Sequence, residues 1–193
     1  VDEESIPEPL SDERKRVPDG VAREREHSYL GNFRDFSAEE VRRMRLGYYA
    51  SIAFIDQEVG RVLAALEEEG VSRDTLVIFL SDHGDMLGDH GLLVKGAFFY
   101  DPAVKVPLII RWPNRVEAGM RVKELVQPND IAATILEAAG VIETPENDSV
   151  QYHDAVSLLP LMRGRLDRIH DHVVCAYRNS GISITKRAWE PPI

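Results

Sequence analysis

The clearest hydrophobic pattern begins at Ser37. Ser37-Ala38-Glu39-Glu40 has capping-box spacing, with Ser37 as N-cap and Glu40 at the third helical position. Val41, Met44, Tyr48, Ile52, Ile55, Val59, Val62 and Leu66 follow at steps of three and four, the apolar stripe of a long amphipathic helix that Gly70 ends. Tyr48 lies on that stripe and reads as core, not as a stacking site. Asp56 sits at its edge and reads as a hydrogen-bonded carboxylate without a catalytic role. Residues 76–80 are an unbroken apolar run, the pattern of a strand covered on both faces of a parallel sheet. Residues 106–111 predict a second strand, with Pro107 near its start, and Trp112-Pro113-Asn114 turns the chain. A short strand over 122–126 is expected, then a helix from Asp130, capped by Asn129 or Asp130 and ended by Gly140.

Strand, helix, strand and helix in succession predict an α/β layer. Residues 143–154 are polar and loop-like, 158–162 read as one or two helical turns, and 172–177 with 182–186 as a hairpin. The expected organisation is an irregular arm over 1–36, the α/β part over 37–165 and a small antiparallel segment over 166–193.

Charge begins abruptly where the first strand stops. Ser81, Asp82, His83, Gly84 and Asp85 follow its carboxyl end, the place where open α/β sheets hold ligands. Neighbouring strand residues point to opposite faces, so Asp82 and His83 reach one ion only if the chain has left strand geometry there; Gly84 permits such a bend. Gly88, Gly91 and Gly96 predict a loop whose backbone approaches a ligand closely. Lys95 lies thirteen positions beyond Asp82. An ammonium does not ligate a metal but holds an anion beside one, so carboxylate, imidazole and lysine suit a metal-assisted attack on a tetrahedral oxyanion ester. The same residues fit a plainer reading, in which Asp82 closes a turn, His83 is a buried histidine and Lys95 a surface charge; on composition alone that reading weighs more. His170 and His172 share the spacing of one strand face but have no third ligand near in sequence, and read as solvated.

Composition narrows the classes. At 193 residues and 44% hydrophobic, the chain has enough apolar surface for one or at most two cores. A net charge of −10 and a pI near 5.1, with no basic patch, speak against nucleic acid as a partner. No apolar run reaches the roughly 20 residues of a membrane span. The single cysteine, Cys175, excludes an internal disulfide, and localisation stays open.

SDHGDMLGDHGLLVKG, residues 81–96, resembles the second metal-binding motif of the sulfatase family within the alkaline phosphatase superfamily. YYASIAFID (48–56), FYDPAVKVPLIIRWP (99–113), DIAATILEAAG (130–140) and SLLPLMRG (157–164) resemble successive blocks of that family, in its order. The Asp-His pair with a close lysine is similar to the phosphonate monoester hydrolase and related arylsulfatase branch. Ala133 stands where the family usually has proline.

The resemblance implies part of an alkaline-phosphatase-like mixed sheet flanked by helices. It implies Asp82 and His83 as half of a divalent-metal shell, calcium ahead of magnesium or manganese, and Lys95 as a sulfate-binding catalytic residue. His90 would orient the loop through a hydrogen bond behind the ligands. The family's nucleophile is a formylglycine made within a Cys/Ser-x-Pro/Ala-x-Arg motif, which this chain lacks: Cys175 stands in CAYRN. No Asp-Asp pair of the kind that completes the metal shell is present, and His27 lacks the neighbours of the family's leaving-group histidine.

The chain therefore resembles the C-terminal half of a sulfatase, expected to be inactive without an N-terminal half. A small sulfate or phosphonate ester would be its substrate, and a noncatalytic structural fragment is the alternative. Two further expectations follow. The uncovered strand 76–80 favours a homo-oligomer, and a weakly bound metal leaves residues 82–95 poorly fixed.

Overall fold

A computed structural model describes residues 2–10, 35–96, 98–141, 151–152, 154–179 and 182–187. Most of the arm expected over 1–36, with His27, and most of the loop expected over 143–154 lie outside the described residues. The chain forms two compact units, one of Val1–Ser72, Phe79–Leu108 and Tyr177–Ile184, the other of Arg73–Ile78, Ile109–Ala176 and Thr185–Ile193.

Helix α1 spans Ala38–Glu68. Its start is the expected capping box: the Ser37 hydroxyl accepts from Glu40 N–H at 3.3 Å, and the Glu40 carboxylate accepts from Ser37 N–H at 2.8 Å. Its end is a Schellman motif about Gly70, whose φ of +69° suits glycine. Gly70 N–H donates to Glu67 O at 3.0 Å and Val71 N–H to Leu66 O at 3.1 Å. The stripe between these ends is not core. Ile52, Ile55 and Val62 are 48, 51 and 62% exposed, and Tyr48 and Met44 are exposed too. Period fixes which face of a helix is apolar, not what covers it, and here that face is open to solvent. The one buried side chain of α1 is Arg45.

Strands β1 (Val77–Leu80) and β2 (Leu108–Arg111) pair as a two-stranded sheet. Phe79, Leu80 and Ile109 are exposed, so the strand expected to be covered on both faces is not. Between them a short helix α2, Asp101–Val104, carries Pro102 in its first turn, where a missing N–H costs least. The core of the first unit is made from the segment after β1: Met86, Leu92, Leu93, Phe98 and Ala103 are buried, with Phe36, Val94, Tyr100 and Val104 packed against them.

In the second unit, helix α3 covers Asp130–Ala138 and ends in another Schellman turn, with Gly140 N–H on Glu137 O and Val141 N–H on Leu136 O, both at 3.0 Å. The strand expected over 122–126 does not form; Val122 is exposed and no partner pairs with the segment among the described residues. Instead β3 (Gln151–Tyr152) and β4 (Ala155–Val156) make a short antiparallel hairpin, followed by helix α4, Leu159–Met162.

Asp130 is fully buried. Its carboxylate does not cap its own helix but accepts from Gln127 N–H at 2.8 Å and Val156 N–H at 2.9 Å, and His170 Nε2 lies 2.9 and 3.0 Å from its two oxygens. His170, expected to be solvated, is thus tied to a buried carboxylate, while His172 is exposed. Thr134 Oγ1 donates to Asp130 O and accepts from Leu158 N–H, joining α3 to the segment before α4. Strands β5 (Val174–Asn179) and β6 (Ile182–Arg187) pair as the expected hairpin; a two-residue connection allows only the antiparallel sense.

Candidate functional site

The chain leaves strand geometry at Ser81, one residue before Asp82. Ser81 Oγ donates to His83 O at 2.7 Å, and Asp82 Oδ1 accepts from His83 N–H at 2.9 Å, a tight local turn. His83 Nδ1 lies 2.9 Å from Gly84 O. A carbonyl oxygen only accepts, so Nδ1 carries the proton and Nε2 presents its lone pair. Nε2 lies 3.6 Å from Asp82 Oδ2, so the structure brings the carboxylate and the imidazole lone pair together on an exposed rim. Among the described residues, no third histidine, cysteine or carboxylate completes a metal-binding group with them.

Gly84 serves close approach more than bending. A Cβ there would lie 1.8 Å from Pro102 O, and Gly84 N–H donates to Ala103 O at 2.9 Å, which seats the turn on α2.

The loop beyond, expected to be poorly fixed without a metal, is crossed by backbone hydrogen bonds and carries buried side chains. Met86 N–H donates to Val94 O at 3.0 Å and Gly88 N–H to Leu92 O at 2.8 Å, while Met86 and Leu92 are fully buried. Leu87, His90 and Val94 all have left-handed backbones, with φ of 47, 56 and 56°. Such conformations cost about 1–3 kcal/mol each in residues other than glycine, so packing and hydrogen bonds must hold them. The Met86 to Val94 bond returns the chain beside its starting point just before Lys95. Lys95 is exposed, with no hydrogen bond or ion pair among the described residues. His90 stacks on Tyr100, ring centroids 4.2 Å apart, and its N–H donates to Leu10 O at 2.8 Å.

Residues that sequence reasoning did not single out also hold this loop. Arg45 Nη1 donates to Leu87 O at 2.8 Å and lies 3.5 Å from Asp89 Oδ1, and Asp89 Oδ1 accepts from Leu10 N–H at 2.9 Å. A signal existed: Arg45 is four residues from Val41, a cation on the apolar side of its helix. Tyr48, exposed in part, has its phenol pushed up by partial burial first, then by the Asp85 carboxylate and Tyr49.

The sulfatase family model matches residues 10–141. The chain is 33% identical over 174 residues to an arylsulfatase of Clostridium perfringens, covering 89% of this chain and 34% of that protein. It is 35% identical over 130 residues to a choline-sulfatase of Rhizobium meliloti, covering 67% of this chain and 24% of that one. It therefore spans about a quarter to a third of the length of these relatives. Among solved structures, the phosphonate monoester hydrolase of Agrobacterium radiobacter superposes with a TM-score of 0.66 at 34% identity, over 78% of this chain and 29% of that one. The architecture is accordingly the mixed α/β, alkaline-phosphatase-like one, with a small antiparallel sheet beside its helices. With more than half of its length matched by the family model, the chain belongs to the sulfatase family.

Proposed function

We propose that the chain is the part of a sulfuric ester hydrolase that contributes two metal ligands, Asp82 and His83, and one anion-binding residue, Lys95. Family membership supports the reaction class. The observation that carries the assignment is the Gly84 carbonyl on His83 Nδ1, which leaves Nε2 free as a ligand 3.6 Å from the Asp82 carboxylate. One carboxylate and one imidazole fit a divalent cation but fall short of the six to eight donors that calcium takes, or the six of magnesium. The shell would be completed by carboxylates from outside this chain. A cation held there, calcium ahead of magnesium or manganese, supplies positive charge that draws electron density from the ester oxygens.

The chain's own residues do the rest of this part. Asp82 and His83 would hold the cation toward which the ester's anionic oxygens turn. Lys95 donates hydrogen bonds to those oxygens as their charge grows, and so lowers the barrier in proportion to that growth. His90, stacked on Tyr100, keeps the loop's return path in place. No nucleophile is assigned within the chain. Cys175 stands in CAYRN, without the sequence that formylglycine formation uses in the family it resembles. The chain alone is therefore expected to show no turnover.

A second reading, hydrolysis of phosphonate monoesters or phosphodiesters, has its own support in the likeness to a phosphonate monoester hydrolase. Both ester classes would present tetrahedral anions to Lys95 and to a cation held by Asp82 and His83. Steady-state kinetics of the parent protein on an aryl sulfate and an aryl phosphonate separates the two readings. In either, Lys95→Ala should cost about 2 to 4 kcal/mol of transition-state stabilisation. Unchanged turnover in that variant would remove Lys95 from the mechanism.

A further inference from the structure

Arg45 is 6% exposed and the only buried side chain of α1, yet it carries a full charge. Its Nη1 donates to Leu87 O at 2.8 Å and lies 3.5 Å from Asp89 Oδ1, while its Nε is buried without a hydrogen-bond partner among the described residues. Burying a guanidinium with one nitrogen unsatisfied is a poor way to gain stability, since an apolar side chain of similar volume does as well or better. What the charge supplies is geometry. The carbonyl it holds belongs to Leu87, which opens the left-handed run, with Gly88 at φ +95° and His90 at +56° after it.

The same turn is gripped from the other side by residues near the amino terminus. Leu10 N–H donates to the Asp89 side-chain Oδ1 at 2.9 Å and His90 backbone N–H donates to Leu10 O at 2.8 Å, so both backbone groups of Leu10 hold the turn. The three segments meet at Gly88, where a Cβ would lie 2.6 Å from Val41 Cγ1 and 3.1 Å from Pro9 Cγ. Asp89 is the shared element, since one carboxylate oxygen faces both the guanidinium of α1 and the amide of residue 10.

We propose that Arg45 and Asp89 are positioning residues. They lock the turn 87–91 so that the chain returns to Val94 with Lys95 presented beside the Asp82-His83 pair. This rests on the reading of that loop as the metal and anion site.

The first test is residue-resolved amide hydrogen exchange on the 193-residue chain and its variants Arg45→Met, Arg45→Lys and Asp89→Asn. Met86, Gly88 and Leu92 amides should exchange about tenfold faster or more in Arg45→Met and Asp89→Asn, the factor carried by one lost charge-assisted hydrogen bond. Arg45→Lys, which keeps the charge but offers a single point donor, should restore part of the protection. Amides in the second half of α1 should not change. Equal acceleration there and in the loop, or no acceleration in the loop, overturns the proposal.

The second test is kinetic, in the parent protein. Arg45→Met should lower kcat by about tenfold or more with a smaller change in KM, and Arg45→Lys should recover part of it. A loosened loop with unchanged kcat overturns the positioning role. Failure of the underlying reading looks different: Lys95→Ala would then leave turnover unchanged while the exchange result still stands.

Discussion

Asp130 is the position where removing a single group should do the most damage to the second unit. Its carboxylate has no solvent exposure, and three donors converge on it: Gln127 N–H at 2.8 Å, Val156 N–H at 2.9 Å and His170 Nε2 at 2.9 Å. Asp130→Ala takes the acceptor away from all three and opens a small polar void. A buried donor left without a partner costs about 1–3 kcal/mol. Val156 is buried and the other two are partly so, which places the total at roughly 3–5 kcal/mol, a large share of the 5–15 kcal/mol that holds a typical domain.

Urea unfolding followed by circular dichroism measures it. With a slope of about 1–3 kcal/mol per molar urea, the midpoint should fall by more than about 1 M. His170→Ala removes one donor of three and should cost less, about 1–2 kcal/mol. Combined with Asp130→Ala it should cost almost nothing further, because the two changes break the same contact. A loss below about 1 kcal/mol for Asp130→Ala, or full additivity of the pair, would refute the idea that this carboxylate organises the unit.

Other outcomes follow from the same contacts. The hydrogen bonds from the Ser37 side chain and backbone hold the Glu40 carboxyl below its ordinary value of 4.5. The contribution of that cap is thus complete above 4.5 and lost as pH falls through the lower folded value; a Ser37 amide resonance titrating at 4.5 or above in the native chain contradicts this. Calorimetric titration of the isolated chain with calcium should give binding weaker than about 10⁻⁴ M, because two donors are too few; submicromolar binding lost on His83→Ala would reveal a complete local shell. Light scattering should find the isolated chain self-associated through the open faces of α1 and β1, whereas a monodisperse monomer would show that these faces tolerate water.

What was legible in the sequence was local. The capping box at Ser37 and Glu40 and the stop at Gly70 concern groups three or four residues apart, and α1 has the expected ends. The Asp82-His83 pair stood out by residue type at a strand end. What escaped were contacts between distant positions: Arg45 with Leu87 and Asp89, and Asp130 with His170, 40 residues on. Spacing rules describe one element at a time, so they group His170 with His172 and do not connect it to a helix start 40 residues earlier. Residues 122–126 find no partner strand among the described residues, and a short apolar-bearing run alone supplies no ladder of hydrogen bonds. Gly84 was right for the wrong reason, since its small size admits the Pro102 carbonyl.

The placement of the first unit's core bears on how such a site can be assembled from two pieces of chain. Met86, Leu92 and Leu93, inside the candidate loop, are themselves core residues, so the loop's conformation is fixed by burial and not by a ligand. The left-handed turns at Leu87, His90 and Val94 are already in place, and their strain is balanced by that packing. On the proposed reading, a second segment that brought carboxylates to the rim would meet an Asp82-His83 pair whose Nδ1 is already fixed on the Gly84 carbonyl. The ordering entropy that a flexible loop would lose on binding has been lost on folding instead. The affinity of the assembled site then depends on the number of added oxygens, while the direction of Lys95 depends on Arg45, Asp89 and the Met86 to Val94 bond. Among the described residues, Arg45 and Asp89 make no hydrogen bond or ion pair with Asp82 or His83, so on the proposed reading ligand number and lysine direction are set by different groups.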